Sequence, residues 1–135
     1  MNLIVCLDNK NGMAFNRRRQ SRDRYLMADI LEVVGEGCLR MAPESAELFP
    51  ELPGNVRVDA DFINRAADDE YCFCEDDRWL PLRSRAGSII VYRWNRVYPA
   101  DLRFPGEELE KRERTVEKEF AGFSHERITR ERYSL

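Results

Sequence analysis

The stretch Leu3-Ile4-Val5-Cys6-Leu7, followed by Asp8-Asn9-Lys10-Asn11-Gly12 and Asn16-Arg17-Arg18-Arg19-Gln20-Ser21-Arg22-Asp23-Arg24, sets the fold class of this chain. A short continuous apolar run marks a strand buried on both faces, as in the middle of an α/β sheet. The residues after it are turn formers, with Gly12 free to take positive φ. Asn16 and Ser21 can each cap a helix, and no Gly or Pro interrupts the chain from there to Val34. Counted from Asp23, apolar residues fall at Leu26, Met27, Ile30, Leu31 and Val34, one face of an α-helix. Gly35-Glu36-Gly37 ends it. The unit reads as strand, glycine turn and arginine-rich helix start, with Asp23 at the head of the apolar stripe.

Working outward, strands and helices alternate. Cys38–Met41 and Val56–Val58 read as short strands, and Pro43 opens a short helix reaching Phe49. Asp59 can cap a helix through Asp61–Ala67. Tyr71-Cys72-Phe73-Cys74 reads as a buried strand, and Asp76–Leu82 as a turn and short helix. Ser88–Trp94, rich in β-branched and aromatic residues, is the strongest strand signal in the chain. This order predicts an α/β fold with a single central, mostly parallel sheet flanked by helices. Residues 107–120 are ambiguous. Their Glu, Lys and Arg content favours helix, but Leu109, Val116 and Phe120 make a thin apolar face for so long a helix.

With 135 residues the chain has the length of one domain, and residues 1–135 are assigned to a single unit. Its 43% hydrophobic and 35% charged residues indicate a globular protein with a heavily charged surface. No segment approaches the roughly 18 apolar residues of a membrane span, and the first residues lack the basic lead-in of a signal peptide. A cytoplasmic location is expected. Net charge is −3. Residues 1–40 carry seven bases and five acids, whereas residues 41–87 carry five bases and eleven acids. A general nucleic-acid binder shows a basic excess over the domain, so that class is not favoured. Cys6, Cys38, Cys72 and Cys74 match neither C-x-x-C nor a zinc-ribbon spacing, and the single histidine, His125, excludes a multi-histidine metal centre. No metal site is predicted.

In this order of elements the chain resembles a shortened member of the dihydrofolate reductase fold family. The resemblance rests on Leu3–Leu7, Gly12-Met13 and the carboxylate Asp23 near a helix start. It extends to Cys38–Phe49, to Ser88–Trp94 followed by Asp101-Leu102-Arg103-Phe104-Pro105, and to a final hairpin at Glu113–Phe120 and Arg127–Tyr133. It implies strand for residues 113–120, a C-terminal β-hairpin, and a ligand pocket between Cys6-Leu7-Asp8, Gly12-Met13 and the Asp23 helix face. It also makes Asp23 the candidate proton-handling or base-recognising acid. The family's cofactor-binding Gly-Arg-x-Thr is replaced by Met41-Ala42-Pro43-Glu44-Ser45, and its Gly-Gly pair by Glu75-Asp76-Asp77. Carboxylates there repel a pyrophosphate, so NADPH is not expected as a cofactor, and neither is standard dihydrofolate reduction.

Two further clusters can be read from the residues. Asn16–Arg24 places five arginines around one acid, and on a helix Arg19 and Asp23, like Arg18 and Arg22, lie four apart. Guanidinium groups near a helix start suit an anionic ligand. They equally suit a solvated surface or a contact with an acidic protein or RNA. Ser124-His125-Glu126 sets a histidine between polar neighbours, but no nucleophile can be assigned beside it, and it reads as a hairpin turn. The expected function is binding of a small anionic or nucleotide/pterin-like ligand by Asp8, Gly12, Met13, Asn16, Arg19 and Arg22. The alternatives are a divergent enzyme using Asp23 as acid or base, and an interaction module using the Arg17–Arg24 strip.

Overall fold

The computed structural model describes residues 1–135. Strand β1 (Asn2–Leu7) runs through its centre, because Leu3, Ile4, Val5 and Leu7 are all fully buried. Around it a seven-stranded sheet is built from β4 (Leu39–Met41), β5 (Val56–Val58), β6 (Tyr71–Phe73), β7 (Ser88–Arg93), β9 (Glu113–Phe120) and β10 (Ile128–Ser134). The strand order is β5-β4-β6-β1-β7-β10-β9. A second, three-stranded sheet joins β2 (Gly12–Phe15) to β3 (Arg18–Arg19) on one side and β8 (Leu102–Arg103) on the other.

The expected α/β class is found, but the sheet is mixed rather than mostly parallel. The pairings β5-β4, β4-β6, β6-β1 and β1-β7 are parallel. Those of β10 with β7 and β9, and of β2 with β3 and β8, are antiparallel. The physical reason is connection length. Parallel neighbours need a long crossover between them, whereas β9 and β10 are joined by a short loop that can only reverse direction. Residues 113–120 are strand, and with β10 they form the C-terminal hairpin.

Helices are few. Helix α1 (Arg24–Val34) is the one long helix, and α2 (Pro43–Ala46), α3 (Phe62–Arg65) and α4 (Glu107–Glu110) are single turns, with a 3-10 segment at Leu80–Arg85. The Asp23 stripe packs as its periodicity requires: Leu26, Met27, Ile30 and Val34 join Ile4, Phe73, Ile90 and Tyr92 in one core. The opposite face of the sheet buries Leu3, Val5, Cys72, Ile89 and Val91 with Phe62 and Ile63 of α3 and with Trp79. Trp79 stacks on Phe104 at 4.7 Å between ring centroids.

One buried residue of α1 is not apolar. The Asp29 carboxylate accepts hydrogen bonds from Tyr92 Oη at 2.6 Å, Lys118 Nζ at 2.8 Å and Arg130 Nη1 at 2.7 Å. Burial raises the Asp29 carboxyl pKa, but Lys118, Tyr92 and Arg130 outweigh it and hold it below the ordinary value. The cluster fastens α1 to β7, β9 and β10. No helix is long and apolar enough to cross a membrane.

Candidate functional site

The arginine-rich segment is not a helix start. Residues 12–19 form the β2–β3 hairpin, in which Phe15 pairs with Arg18 across the two-residue loop Asn16-Arg17. Both loop residues have positive φ, 53° and 62°, the backbone of a type I′ turn. Helix α1 begins only at Arg24, so the predicted four-residue helical spacings of Arg19 with Asp23 and of Arg18 with Arg22 do not exist. The residues mislead because Asn caps helices and also opens I′ turns, and Asn-Arg lacks the glycine that usually reveals the latter.

The turn after β1 also differs from expectation. Asn11, not Gly12, takes the positive φ, at 61°. Gly12 is needed for a different reason: a Cβ there would fall 2.5 Å from both Asp8 Oδ2 and Gln20 Nε2. Asp8 is fully buried and accepts from the N–H groups of Lys10 and Gly12 at 2.8 Å, of Tyr98 at 3.2 Å, and from Gln20 Nε2 at 3.0 Å. Burial raises its pKa, and the Gly12, Lys10 and Tyr98 amides with Gln20 reverse that, so it lies below the ordinary value. Asp8 is a fastener of the loop, with its oxygens occupied.

Asp23 is the N-cap of α1. Its Oδ1 accepts from the N–H groups of Tyr25 at 2.9 Å, Leu26 at 3.3 Å and Phe123 at 3.0 Å. Oδ2 accepts from Ser124 N at 2.9 Å and Ser124 Oγ at 3.3 Å, and lies 2.9 Å from His125 Nδ1. Burial pushes this carboxyl up, but the Phe123 and Ser124 amides, His125 and Tyr25 together hold it down to about 2. A carboxylate that stays ionised with its lone pairs engaged neither stores nor delivers a proton near neutral pH. The expected pocket between Cys6, Met13 and the helix face shrinks to a narrow slot of about 10 Å³, which Asp23 does not line.

The open space lies elsewhere. A cleft of about 920 Å³ sits beyond the carboxyl ends of β4 and β6, against the hairpin that follows β1. The hairpin contributes Asn16, Arg17, Arg18 and Arg19, the segment after β4 contributes Glu44, Ser45 and Glu47, and the segment after β6 contributes Glu75–Arg78. Arg19 spans between them. Its Nε donates to Glu75 Oε2 at 2.7 Å, and its Nη2 donates to Glu75 Oε1 at 3.0 Å and to the Glu44 carbonyl at 2.9 Å. Ser45 Oγ donates to the same Glu75 Oε1 at 2.7 Å. Arg78 is engaged by Asp76 at 2.7 Å, whereas Arg17 and Arg18 form no ion pair.

The location follows a topological rule. After β1 and the hairpin the chain passes to α1 on one face of the sheet, whereas after the neighbouring β6 it passes to Trp79 and the 3-10 segment on the other. A crevice opens where adjacent parallel strands send their connections to opposite faces, and ligands of open α/β sheets bind there. Of the predicted ligand residues, Asn16 and Arg19 line this cleft. Met13 lines the narrow slot, Asp8 and Gly12 form the loop below, and exposed Arg22 lines neither space. Glu75, Ser45 and Glu44 are not among the predicted ligand residues; the resemblance sets them at its cofactor-binding points, as departures from its motifs that argue against a cofactor.

The slot is also lined by Gln20, Ser21 and Trp94. Next to it His125, in the loop of the C-terminal hairpin as expected, is buried. Its ring stacks on Trp94 at 4.6 Å, and its Nε2 lies 3.0 Å from both Ser21 Oγ and Tyr98 Oη. Burial raises the thiol pKa values of the core cysteines, Cys72 to about 11 and Cys74 to about 12, and Cys6 moves in the same direction. They stay protonated and unreactive in the folded protein. No group of three or more His, Cys, Asp or Glu side chains is placed to share a metal ion.

No protein-family model matches the chain, and no curated protein matches it significantly.

Proposed function

We propose that this chain is a small-ligand-binding domain of dihydrofolate reductase-like fold, and that its ligand occupies the cleft between the β2–β3 hairpin and the ends of β4 and β6. The observation that carries the reading is the coincidence of the 920 Å³ cleft with the switch point between β1 and β6. The fold assignment is supported by the strand order, with a central parallel set closed on one side by an antiparallel C-terminal hairpin.

The charges define the ligand class. Arg17, Arg18, Arg19 and Arg78 face Glu44, Glu47, Glu75, Asp76, Asp77 and Asp101 around the cleft, a net lining charge of −2 by count of the bases and acids named. A polyphosphate meets too many carboxylates there. A molecule with one anionic group for Arg17 and Arg18 and an amino-bearing ring edge for the acids is complementary. A nucleoside monophosphate or an anionic pterin-like compound fits that description. NADPH, with its pyrophosphate and further phosphate, does not.

Calorimetry and thermal unfolding with nucleoside monophosphates, pterin carboxylates and NADPH test this. A matching ligand at about 100-fold its Kd raises Tm by on the order of 10 °C. Arg17→Glu with Arg18→Glu removes that rise. A panel with no response overturns the reading, and a strong response to NADPH overturns the charge argument.

A further inference from the structure

Beyond a binding role, we propose that Ser21 is a nucleophile, activated by His125 with Asp23 orienting the ring, able to attack small carboxylic esters. Ser21 and Asp23 meet a histidine more than 100 positions away, and the three side chains form one hydrogen-bonded line. Asp23 Oδ2 lies 2.9 Å from His125 Nδ1, and His125 Nε2 lies 3.0 Å from Ser21 Oγ. An ionised carboxylate only accepts, so Nδ1 carries the proton and Nε2 presents its lone pair to the hydroxyl. This is the arrangement in which a histidine takes the proton of an attacking serine while a buried acid fixes its tautomer.

Several surroundings fit that role better than a purely structural one. Trp94 stacked on the imidazole holds its plane. Ser21 is partly exposed, while His125 and Asp23 behind it are buried. The N–H of Arg22, next after the nucleophile, donates to no group in the chain. An N–H left free beside the nucleophile can donate to a developing oxyanion. Gln20, whose buried Oε1 has no donor in the chain, lines the same slot as Ser21. Its volume of about 10 Å³ admits about one water.

The step balances without a cofactor. Ser21 Oγ bonds to the ester carbonyl carbon as its proton passes to His125 Nε2. The tetrahedral adduct then expels the alkoxide, which takes that proton and leaves as an alcohol. Water repeats the sequence on the acyl-serine and releases the carboxylic acid. Tyr98 Oη, also 3.0 Å from Nε2, is the competing partner for the histidine and not part of the transfer.

The test uses the full chain with a fluorophosphonate probe and, separately, p-nitrophenyl acetate. The expected result is a single adduct located on Ser21 by peptide mass spectrometry, absent in Ser21→Ala and retained in Tyr98→Phe. Circular dichroism verifies that each variant is folded. Ser21→Cys supplies a readout independent of ester turnover. Its introduced thiol, paired with His125, should alkylate with iodoacetamide roughly 10-fold faster than Cys38 at neutral pH. Three results would each overturn the proposal: no adduct on the folded protein at millimolar probe, an adduct on Tyr98, or an introduced thiol that alkylates no faster than Cys38. Ligand binding in the cleft is measured separately, so failure of one reading does not disguise failure of the other.

Discussion

The carboxylate of Asp23 and the Nδ1 of His125 lie 2.9 Å apart although 102 positions separate them in the chain. That contact joins the first turn of α1 to the loop between β9 and β10, and Asp23 also accepts the N–H groups of Phe123 and Ser124. One side chain thus caps the longest helix and closes the C-terminal hairpin.

Truncating it should be costly. Asp23→Ala leaves buried N–H donors without an acceptor and removes the cap, a loss of about 3 kcal/mol. Asp23→Asn keeps part of the geometry and should lose less. Urea unfolding followed by circular dichroism measures both. Equal stability of wild type and Asp23→Ala would show that the cap is dispensable.

Acid should unfold the protein through the same groups. The folded pKa of Asp23 is depressed to about 2 from an ordinary 3.8, and those of Asp8 and Asp29 are also lowered. For a depressed carboxyl the unfolded chain binds protons first, so the stabilisation is complete above about pH 4 and disappears as pH falls toward about 2. Asp23 alone accounts for about 2 kcal/mol of this at about 1.36 kcal/mol per pH unit. The acid limb of a stability–pH curve should be shallower in Asp23→Asn than in wild type.

Arg17→Gly should stabilise the fold by about 1 kcal/mol, because Asn-Gly is the preferred pair in a I′ turn. Arg17 sits in that turn at φ 62°. If the cleft reading holds, the same change weakens ligand binding, which separates the two roles of the residue in one variant. A thermal melt without ligand and a titration with it provide the comparison.

Gly12→Ala should do the reverse. The added methyl would meet Asp8 Oδ2 and Gln20 Nε2 at 2.5 Å and Ala100 Cβ at 2.9 Å. Relief requires Asp8 to give up donors while buried, at a cost on the order of 2 kcal/mol. Chemical denaturation midpoints, compared at equal m-value, measure the loss.

Asp29→Ala should destabilise by about 2–3 kcal/mol, because the buried Tyr92 hydroxyl and the Arg130 guanidinium lose their acceptor. Asp29→Asn combined with Arg130→Met removes charge from both sides and should recover part of the loss. Double-mutant analysis of unfolding free energies decides whether the pair is coupled.

Periodicity makes α1 legible, and the β-branched, aromatic run makes β7 legible, because burial alone dictates those residue patterns. The hairpin at 12–19 is not legible. Its strands are four and two residues long, and its turn uses arginine at a position where glycine is the recognisable residue. Asp23 stands out in the sequence as an acid on an apolar stripe, but its partners at residues 123–125 are supplied by tertiary structure, which no local window contains. The cleft escapes notice for the same reason: the Arg19–Glu75 bridge and the β1–β6 adjacency that positions it are long-range facts. Pairing with β10 makes residues 113–120 a strand against their own helical propensity.

The high thiol pKa values of Cys72 and Cys74 make the parallel half of the sheet its own stopwatch. Both thiols are buried, in β6 or just past its end, and that strand is clasped between β1 and β4. An alkylating reagent must therefore wait for β6 to separate. Cys38, only half buried, keeps time for shallower fraying at the sheet margin. Modification kinetics at the three positions would chart which part of the molecule opens first, with no label introduced into the chain.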